Sequence, residues 1–176
     1  MNDEPWKPRK VVIVGAGAVG STFAYALAQS GLADEIALRD ANHELAMGQV
    51  LDLVHGQAFF PSVQIHEARA TDYADARLIV ITAGAKQRPG ESRLELLQRN
   101  VKIIHDIIDE IVLQKSPAVV LIVSNPVLVV PHASDRLHGC HNLLFHACRR
   151  GIQQFIHGTA PKLQADPHYQ RASVIY

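Results

Sequence analysis

The chain has 176 residues, of which 48% are apolar, and its 17 basic side chains balance 17 acidic ones. This length allows one domain with a full core, and the charge balance argues against nucleic-acid or membrane-surface partners. The first ten residues are polar, no apolar stretch is long enough to span a bilayer, and the two cysteines suggest no disulfide framework. We therefore expect a cytoplasmic protein with no nucleic-acid or membrane partner.

Short apolar runs alternate with amphipathic segments through the first two thirds of the chain. Runs that are apolar throughout predict strands buried on both faces, and apolar residues at helical spacing predict helices. The expected order is a strand at 10–14, a helix at 21–30, a strand at 35–38, a helix at 44–55, strands at 63–65 and 78–82, a helix at 92–115 and a strand at 118–123. This order predicts an α/β fold with a doubly wound parallel sheet.

Two of the predicted helices carry a candidate buried face. In the helix at 44–55 we expect that face to comprise Leu45, Gly48, Leu51 and Val54. In the long helix at 92–115 it comprises Leu96, Leu97, Ile103, Ile104, Ile107, Ile108 and Ile111.

A glycine-rich turn, G-A-G-A-V-G at residues 15–20, separates the first predicted strand from the first helix. In this context Gly15 permits the tight turn, Gly17 lets the backbone approach a diphosphate, and Gly20 lets the helix pack closely on the strand. The helix N-terminus offers N–H groups to the phosphates. The motif predicts a dinucleotide site, the alternative being a structural turn without a ligand.

Asp40 follows the second predicted strand, 20 residues after Gly20. A carboxylate at this position can accept hydrogen bonds from the ribose hydroxyls of the adenosine and would repel a 2′-phosphate, which favours NAD over NADP. Arg39 could hold such a phosphate. Because side chains alternate along a strand, however, we expect Arg39 to point away from Asp40 and to end in solvent or pair on the sheet surface.

Four segments together resemble the NAD-dependent L-lactate dehydrogenases, in order and in spacing. They are residues 11–20, D-L-V-H-G at 52–56, T-A-G-A-K-Q-R-P-G-E-S-R-L at 82–94 and V-S-N-P-V at 123–127, the third being the most specific. The resemblance implies that residues 10–126 are the Rossmann, NAD-binding domain of an oxidoreductase that interconverts pyruvate and L-lactate. It leaves residues 1–9 as a flexible N-terminus and residues 127–176 as an atypical tail.

The resemblance also implies roles for single residues. Residues 85–91 correspond to a loop that closes over substrate, and Arg93 to the catalytic arginine that binds substrate and polarises its carbonyl. Gln87 stands at the substrate-binding position that separates lactate from malate enzymes, because a neutral amide suits the methyl group of pyruvate. Asn125 corresponds to an asparagine that bonds the substrate beside the nicotinamide. The cofactor-lining positions are Gly15, Gly17, Val19, Gly20, Asp40, Gly84, Ala85, Val123, Ser124 and Asn125.

Each of these side chains also has a purely structural interpretation. Arg93 could be an exposed helix residue, Gln87 a loop amide and Asn125 part of a turn that ends a strand. Their joint position at the ends of neighbouring strands, where doubly wound sheets bind ligands, favours the functional interpretation.

The tail at 127–176 departs from the family. Leu128 stands where the family has aspartate, and the motifs that carry the catalytic histidine, its aspartate partner and the carboxylate-binding arginine do not occur. The tail holds 6 of the 10 histidines and both cysteines, with 2 acidic against 5 basic side chains. A frameshifted, a recombined or an engineered end would each explain this composition. Apolar runs at 143–145 and 152–156 could supply a replacement strand and helix.

A zinc site in the tail is a further hypothesis, since five potential ligands lie close together in sequence: His138, Cys140, His141, His146 and Cys148. Their spacing matches no standard zinc pattern, and a composition rich in histidine produces such clusters by chance. We therefore expect no metal.

Three functional hypotheses follow. Reducing pyruvate needs a hydride, an oriented proton donor and an arginine that clamps the carboxylate, so the chain by itself is expected to be a catalytically incomplete L-lactate dehydrogenase. It could instead be an NAD-binding module without catalysis, or a fragment that folds poorly because the long helix exposes apolar surface. The family forms homotetramers, and the oligomeric state of this chain stays open.

Overall fold

The computed structural model describes residues 8–123 and the backbone of two further strands. The strands are β1 (Lys10–Val14), β2 (Glu35–Arg39), β3 (Gln64–Glu67), β4 (Leu78–Ile81), β5 (Val119–Val123), β6 (Leu143–His146) and β7 (Ser173–Val174). The helices are α1 (Ala18–Ser30), α2 (His43–His55) and α3 (Arg93–Leu113), with short 3-10 turns at Gln57–Phe59 and Ala70–Tyr73. All eight predicted elements are present in the predicted order.

The seven strands form one sheet in the order β3-β2-β1-β4-β5-β6-β7. Every neighbouring pair is parallel, which confirms the doubly wound parallel fold. The chain steps outward from β1 to β3 and then returns to place β4 on the other side of β1. The direction therefore reverses between β1 and β4, which is where open α/β sheets bind ligands beyond the carboxyl ends of their strands.

The core has two layers because consecutive side chains of β1 face opposite sides of the sheet. Val12 packs in a cluster with the buried isoleucines of α3, whereas Ile13 packs in a second cluster with residues of α1 and α2. The side chains of Val12 and Ile13 are both completely buried. Among the described helices, none is long and apolar enough to cross a membrane.

One apolar run of the tail joins the sheet. The run at 143–145 forms β6, which pairs with β5 from Val120↔Leu143 to Val123↔His146. The run at 152–156 and the candidate zinc ligands lie outside the described residues, apart from the backbone of His146.

Two expectations about the helices are corrected by the structure. Helix α1 begins at Ala18 rather than at residue 21, because Gly17 serves as its N-cap and its carbonyl accepts the Ser21 N–H at 2.9 Å. In α2 the predicted face is wrong at Leu45 and Leu51, which are 38% and 47% exposed, whereas Val54 packs beside the core. The buried face consists of Ala46, Val50 and Leu53, which places the small alanine against the sheet and allows the helix to approach it.

The stripe predicted for α3 agrees better with the structure. Ile104, Ile108 and Ile111 are completely buried, and Leu97 and Ile107 pack beside them. The stripe continues toward the N-terminus through a polar residue, Asn100, which is 2% exposed. The Asn100 side chain contributes to the candidate functional site described below.

Candidate functional site

The predicted site residues meet at the carboxyl edge of the sheet. Val14 at the end of β1 is paired with Arg39 of β2 and with Ile81 of β4, so these strands end side by side. The segments that follow them are therefore neighbours: the glycine turn, Asp40, and the stretch that begins at Thr82. Val123 ends β5 at the same edge.

The glycine turn has the geometry that its sequence predicts. Gly15 has φ +109°, a conformation that side chains disfavour. A Cβ built on Gly20 would lie 1.8 Å from the Gly15 carbonyl oxygen, so only glycine allows this approach of helix to strand. A Cβ on Gly17 would meet nothing within 4 Å, and the first turn of α1 has no acidic side chain. The space beside Gly17 and the N–H groups of α1 thus fit a diphosphate.

Asp40 is bonded directly to this turn. One carboxylate oxygen accepts the backbone N–H of Ala16 at 2.7 Å, and the other accepts that of Asn42 at 2.8 Å. The Gly15 N–H also donates to the Arg39 carbonyl at 2.7 Å. The two elements of the predicted dinucleotide site are therefore held together by hydrogen bonds within the chain.

Arg39 points to the opposite side of the strand, as predicted. Its Nη2 donates to Glu110 on α3 at 2.9 Å, and its guanidinium carbon lies 5.7 Å from the ring centroid of Tyr73. Burial raises the pKa of Tyr73 to about 12, so the ring hydroxyl stays protonated. With its guanidinium committed to the α3 face, Arg39 does not serve as the cation that a 2′-phosphate beside Asp40 would need.

The loop at 85–91 presents the candidate substrate residues. Gln87 is exposed, and its Nε2 donates to the Glu91 carbonyl at 2.7 Å. Arg93 is exposed at the first position of α3, directly after the N-cap Ser92, whose hydroxyl accepts the Glu95 N–H at 3.2 Å. Hydrogen bonds from Ser92 hold the pKa of Glu95 below its ordinary value.

The remaining predicted positions divide between described and undescribed residues. Val19 on α1 is 59% exposed, Gly84 is exposed, and Ala85 and Val123 are half-buried. Ser124 and Asn125 lie outside the described residues. Their roles stay predictions.

Two polar residues that sequence reasoning missed organise the site. The Thr82 hydroxyl donates to the Gly15 carbonyl at 3.0 Å and occupies the space that Cβ atoms on Gly15 and Gly20 would need. Asn100 reaches from α3 to accept the Ala85 N–H at 2.8 Å. The available signal for Asn100 was a polar residue inside an apolar helical stripe, because a buried amide needs a partner.

A second polar cluster lies at the amino ends of β1 and β2. Glu35, His66 and Asp72 come close enough to ligate a metal ion. The ammonium of Lys10, however, lies 3.0 Å from Glu35, 3.2 Å from Asp72 and 2.9 Å from Asp75. The cluster therefore already contains its cation.

Comparison with known sequences agrees with the geometry. The sequence profile of the lactate/malate dehydrogenase NAD-binding domain matches residues 9–141, which extends past residue 126, the predicted end of the domain. The L-lactate dehydrogenase of Treponema denticola is 56% identical over 133 residues, which are 76% of this chain and 42% of that protein. The L-lactate dehydrogenase of Bifidobacterium animalis subsp. lactis is 44% identical over 140 residues, covering 79% of this chain and 44% of the relative.

Solved structures give the same result. A lactate dehydrogenase from a Medee basin deep-sea metagenome library superposes with a TM-score of 0.69 at 38% identity, covering 74% of this chain and 42% of the other. The minor L-lactate dehydrogenase of Enterococcus mundtii in its ligands-bound form gives 0.69 at 36% identity, covering 73% and 41%. The chain thus spans less than half the length of the relatives it matches. The extent of the profile match and these identities establish that the chain belongs to the lactate/malate dehydrogenase family and contains that family's NAD-binding domain.

Proposed function

We propose that the chain binds NAD(H) across the carboxyl ends of β1, β2 and β4, as the cofactor-binding part of an L-lactate dehydrogenase that interconverts pyruvate and L-lactate. The observation that carries this proposal is the contact between Asp40 and the Ala16 amide at 2.7 Å. It joins a candidate diphosphate site to a candidate ribose site in one preformed unit.

Asp40 retains capacity for a ligand after making its two backbone contacts. A carboxylate offers about four acceptor positions, and the Ala16 and Asn42 amides occupy one on each oxygen. The remaining positions accept the ribose hydroxyls. A phosphate on the ribose would instead meet a negative charge, which supports NAD over NADP.

Gln87 and Arg93 supply the substrate side of the proposal. Bound NADH would provide the hydride, and the guanidinium of Arg93 would stabilise negative charge that develops on the substrate carbonyl oxygen. The neutral amide of Gln87 suits a methyl group and offers no cation to a second carboxylate. Val123, Ser124 and Asn125 would complete the nicotinamide end, within a domain spanning residues 10–126.

Calorimetric titration of NADH and NADPH into the full chain tests the cofactor proposal. We expect NADH to bind and NADPH to bind at least tenfold more weakly, with Asp40→Ala removing that preference because the ribose contact is lost. Asp52→Asn is the matched control, since Asp52 is an exposed carboxylate near the C-terminal end of α2. Equal NADH affinity in Asp40→Ala and the unaltered chain would contradict the proposal.

Pyruvate-dependent oxidation of NADH distinguishes the enzyme from an NAD-binding module without catalysis. Turnover that falls in Arg93→Lys supports the dehydrogenase, because lysine keeps the charge but not the planar two-point geometry. Binding of NADH without turnover is expected both of a module and of a catalytically incomplete dehydrogenase, so only turnover separates the two. Size-exclusion chromatography of the same sample tests whether the chain forms the homotetramer that the family resemblance implies.

A further inference from the structure

The loop at 85–91 lies outside helices and strands, yet it is held at both ends by one residue of α3. Arg99 donates from Nη2 to the Lys86 carbonyl at 2.8 Å. It also makes a two-point contact with the Glu91 carboxylate, from Nη2 at 2.8 Å and from Nε at 3.1 Å. A single guanidinium therefore joins the beginning of the loop to its end.

The environment of this contact makes it stronger than a surface ion pair. The side chains of Glu91 and Arg99 are 12% and 27% exposed. Water and salt screen such a pair less than one in full solvent, and the planar guanidinium matches both carboxylate oxygens. The Glu91–Arg99 pair can consequently hold a loop whose residues 86–90 are exposed.

Glu91 transmits this constraint to the interior of the loop. Its carboxylate accepts the Arg88 N–H at 2.8 Å, and its carbonyl accepts Nε2 of Gln87 at 2.7 Å. The backbone hydrogen bond from Arg88 and then the contact with Arg99 lower the pKa of Glu91, so it remains a carboxylate near neutral pH. Arg99 thereby acts on Gln87 through Glu91.

We propose that Arg99 is a positioning residue that sets the conformation of the 85–91 loop through Glu91, and with it the location of the Gln87 amide before a ligand binds. That Gln87 faces a substrate rests on the proposed function. The role of Arg99 in the loop conformation does not rest on it, because all of these contacts lie within residues 86–99.

Amide hydrogen exchange of the full chain tests the inference directly. In Arg99→Met we expect the hydrogen-bonded loop amides, those of Arg88 and Glu91, to exchange roughly tenfold faster. The urea midpoint of the whole domain should change little, because the loop opens locally. Arg99→Lys keeps the charge without the two-point contact and should restore part of the protection. Lys102→Met is the matched control, because Lys102 is an exposed cation one turn further along α3.

Glu91→Gln provides an independent arm. It should accelerate exchange in the loop. The double variant with Arg99→Met should be no faster than Arg99→Met alone, because both single variants remove the Glu91–Arg99 ion pair and Arg99→Met removes the Lys86 contact as well. Unchanged loop exchange in Arg99→Met would overturn the inference, as would fully additive effects. An NADH titration on the same samples separates the two proposals: absence of NADH binding in the unaltered chain refutes the proposed function and leaves the exchange result standing.

Discussion

The two ends of the sheet use charged groups in opposite ways. At the amino ends of β1 and β2, the Lys10 ammonium contacts three carboxylates, and the two ring nitrogens of His66 face the Glu35 carboxylate and the Glu67 carbonyl, each at 2.9 Å. At the carboxyl ends, Asp40 has only backbone amides as its described partners. At the amino end the charged groups are paired within the chain, whereas at the carboxyl end acceptor positions of Asp40 and N–H groups of α1 have no described partner within the chain.

The comparison shows that closeness of polar side chains is a poor indicator of a binding site. The amino-end cluster contains the set of side chains that resembles a metal site most closely, but Lys10 supplies the positive charge. The carboxyl-end site consists largely of backbone and glycine, with few side chains. The two sites differ in whether the polar groups find all their hydrogen-bond and ion-pair partners within the chain.

The largest effect is expected from Gly20→Ala, which tests whether the carboxyl end depends on bare backbone. The new Cβ would lie 1.8 Å from the Gly15 carbonyl oxygen, so the helix must move, at a cost of about 3 kcal/mol or more in the free energy of unfolding. Urea denaturation measures this. Gly48→Ala in α2 is the control, since a Cβ there meets nothing within 4 Å, and it should be neutral or stabilising. Similar midpoints for both variants would refute the close-packing argument.

Lys10→Met tests whether pairing of charges within the chain stabilises the amino end. The lysine side chain is 8% exposed, and its removal leaves the half-buried carboxylates of Glu35 and Asp72 without their lysine partner. We expect a loss of about 3 kcal/mol in the free energy of unfolding. Lys102→Met, which removes an exposed lysine, should change it by less than about 0.5 kcal/mol. If the two variants unfold at the same urea concentration, the cluster contributes nothing to stability.

Asn100→Leu sharpens the comparison at the carboxyl ends of the strands, because it removes the buried amide that accepts the Ala85 N–H. Leucine has a similar size but leaves the Ala85 N–H without its acceptor, which should cost about 1–2 kcal/mol. Asn100→Asp keeps an oxygen at that position and tests whether the acceptor suffices. We also expect weaker NADH binding in the leucine variant, measured by titration. Unaltered stability together with unaltered NADH affinity would show that Asn100 does not position Ala85.

The smallest effect concerns how the stability contributed by the amino-end cluster depends on pH. Burial alone lowers the pKa of His66. The hydrogen bonds to Glu35 and to the Glu67 carbonyl, together with the charges of Asp72 and Glu35, outweigh burial and raise the pKa above 6.5. Because the folded pKa is raised, this contribution to stability is complete below about pH 6.5 and is lost as pH rises through the folded pKa.

Urea midpoints measured across that range should therefore fall less steeply with pH in His66→Gln than in the unaltered chain. His55→Gln is the matched control, because His55 is exposed at the end of α2. A His66→Gln profile parallel to that of the unaltered chain would mean that His66 does not titrate within this transition.

The sequence predicted the sheet, and the position of the glycine turn beside Asp40 at its edge, because both depend on local signals. The apolar runs locate the strands, and the spacing of Gly15, Gly17, Gly20 and Asp40 requires only a strand, a turn and a helix in succession. The direction of Arg39 followed from the alternation of side chains, and its contact with Glu110 confirms it.

What the sequence did not predict depends on pairs that only the fold brings together. The sequence predicted Leu45 in the buried face of α2, but Ala46 lies there instead, because the choice depends on how closely the helix approaches the sheet. Thr82 contacts Gly15 across 67 positions, and Lys10 meets Asp72 across 62. No local pattern marks either partner, since threonine at a strand end and lysine at a strand start are both common.

The interior position of β1, between β2 and β4, has a consequence for synthesis of the chain on the ribosome. β1 is made first, but its second edge is covered only when β4, at Leu78–Ile81, has emerged. Until then a nascent sheet of β1, β2 and β3 exposes an unpaired apolar edge, which is a surface prone to aggregation. Pairing over such long separations also slows folding. The proposed dinucleotide site lies at that same β1–β4 junction, so it cannot form before β4 has emerged.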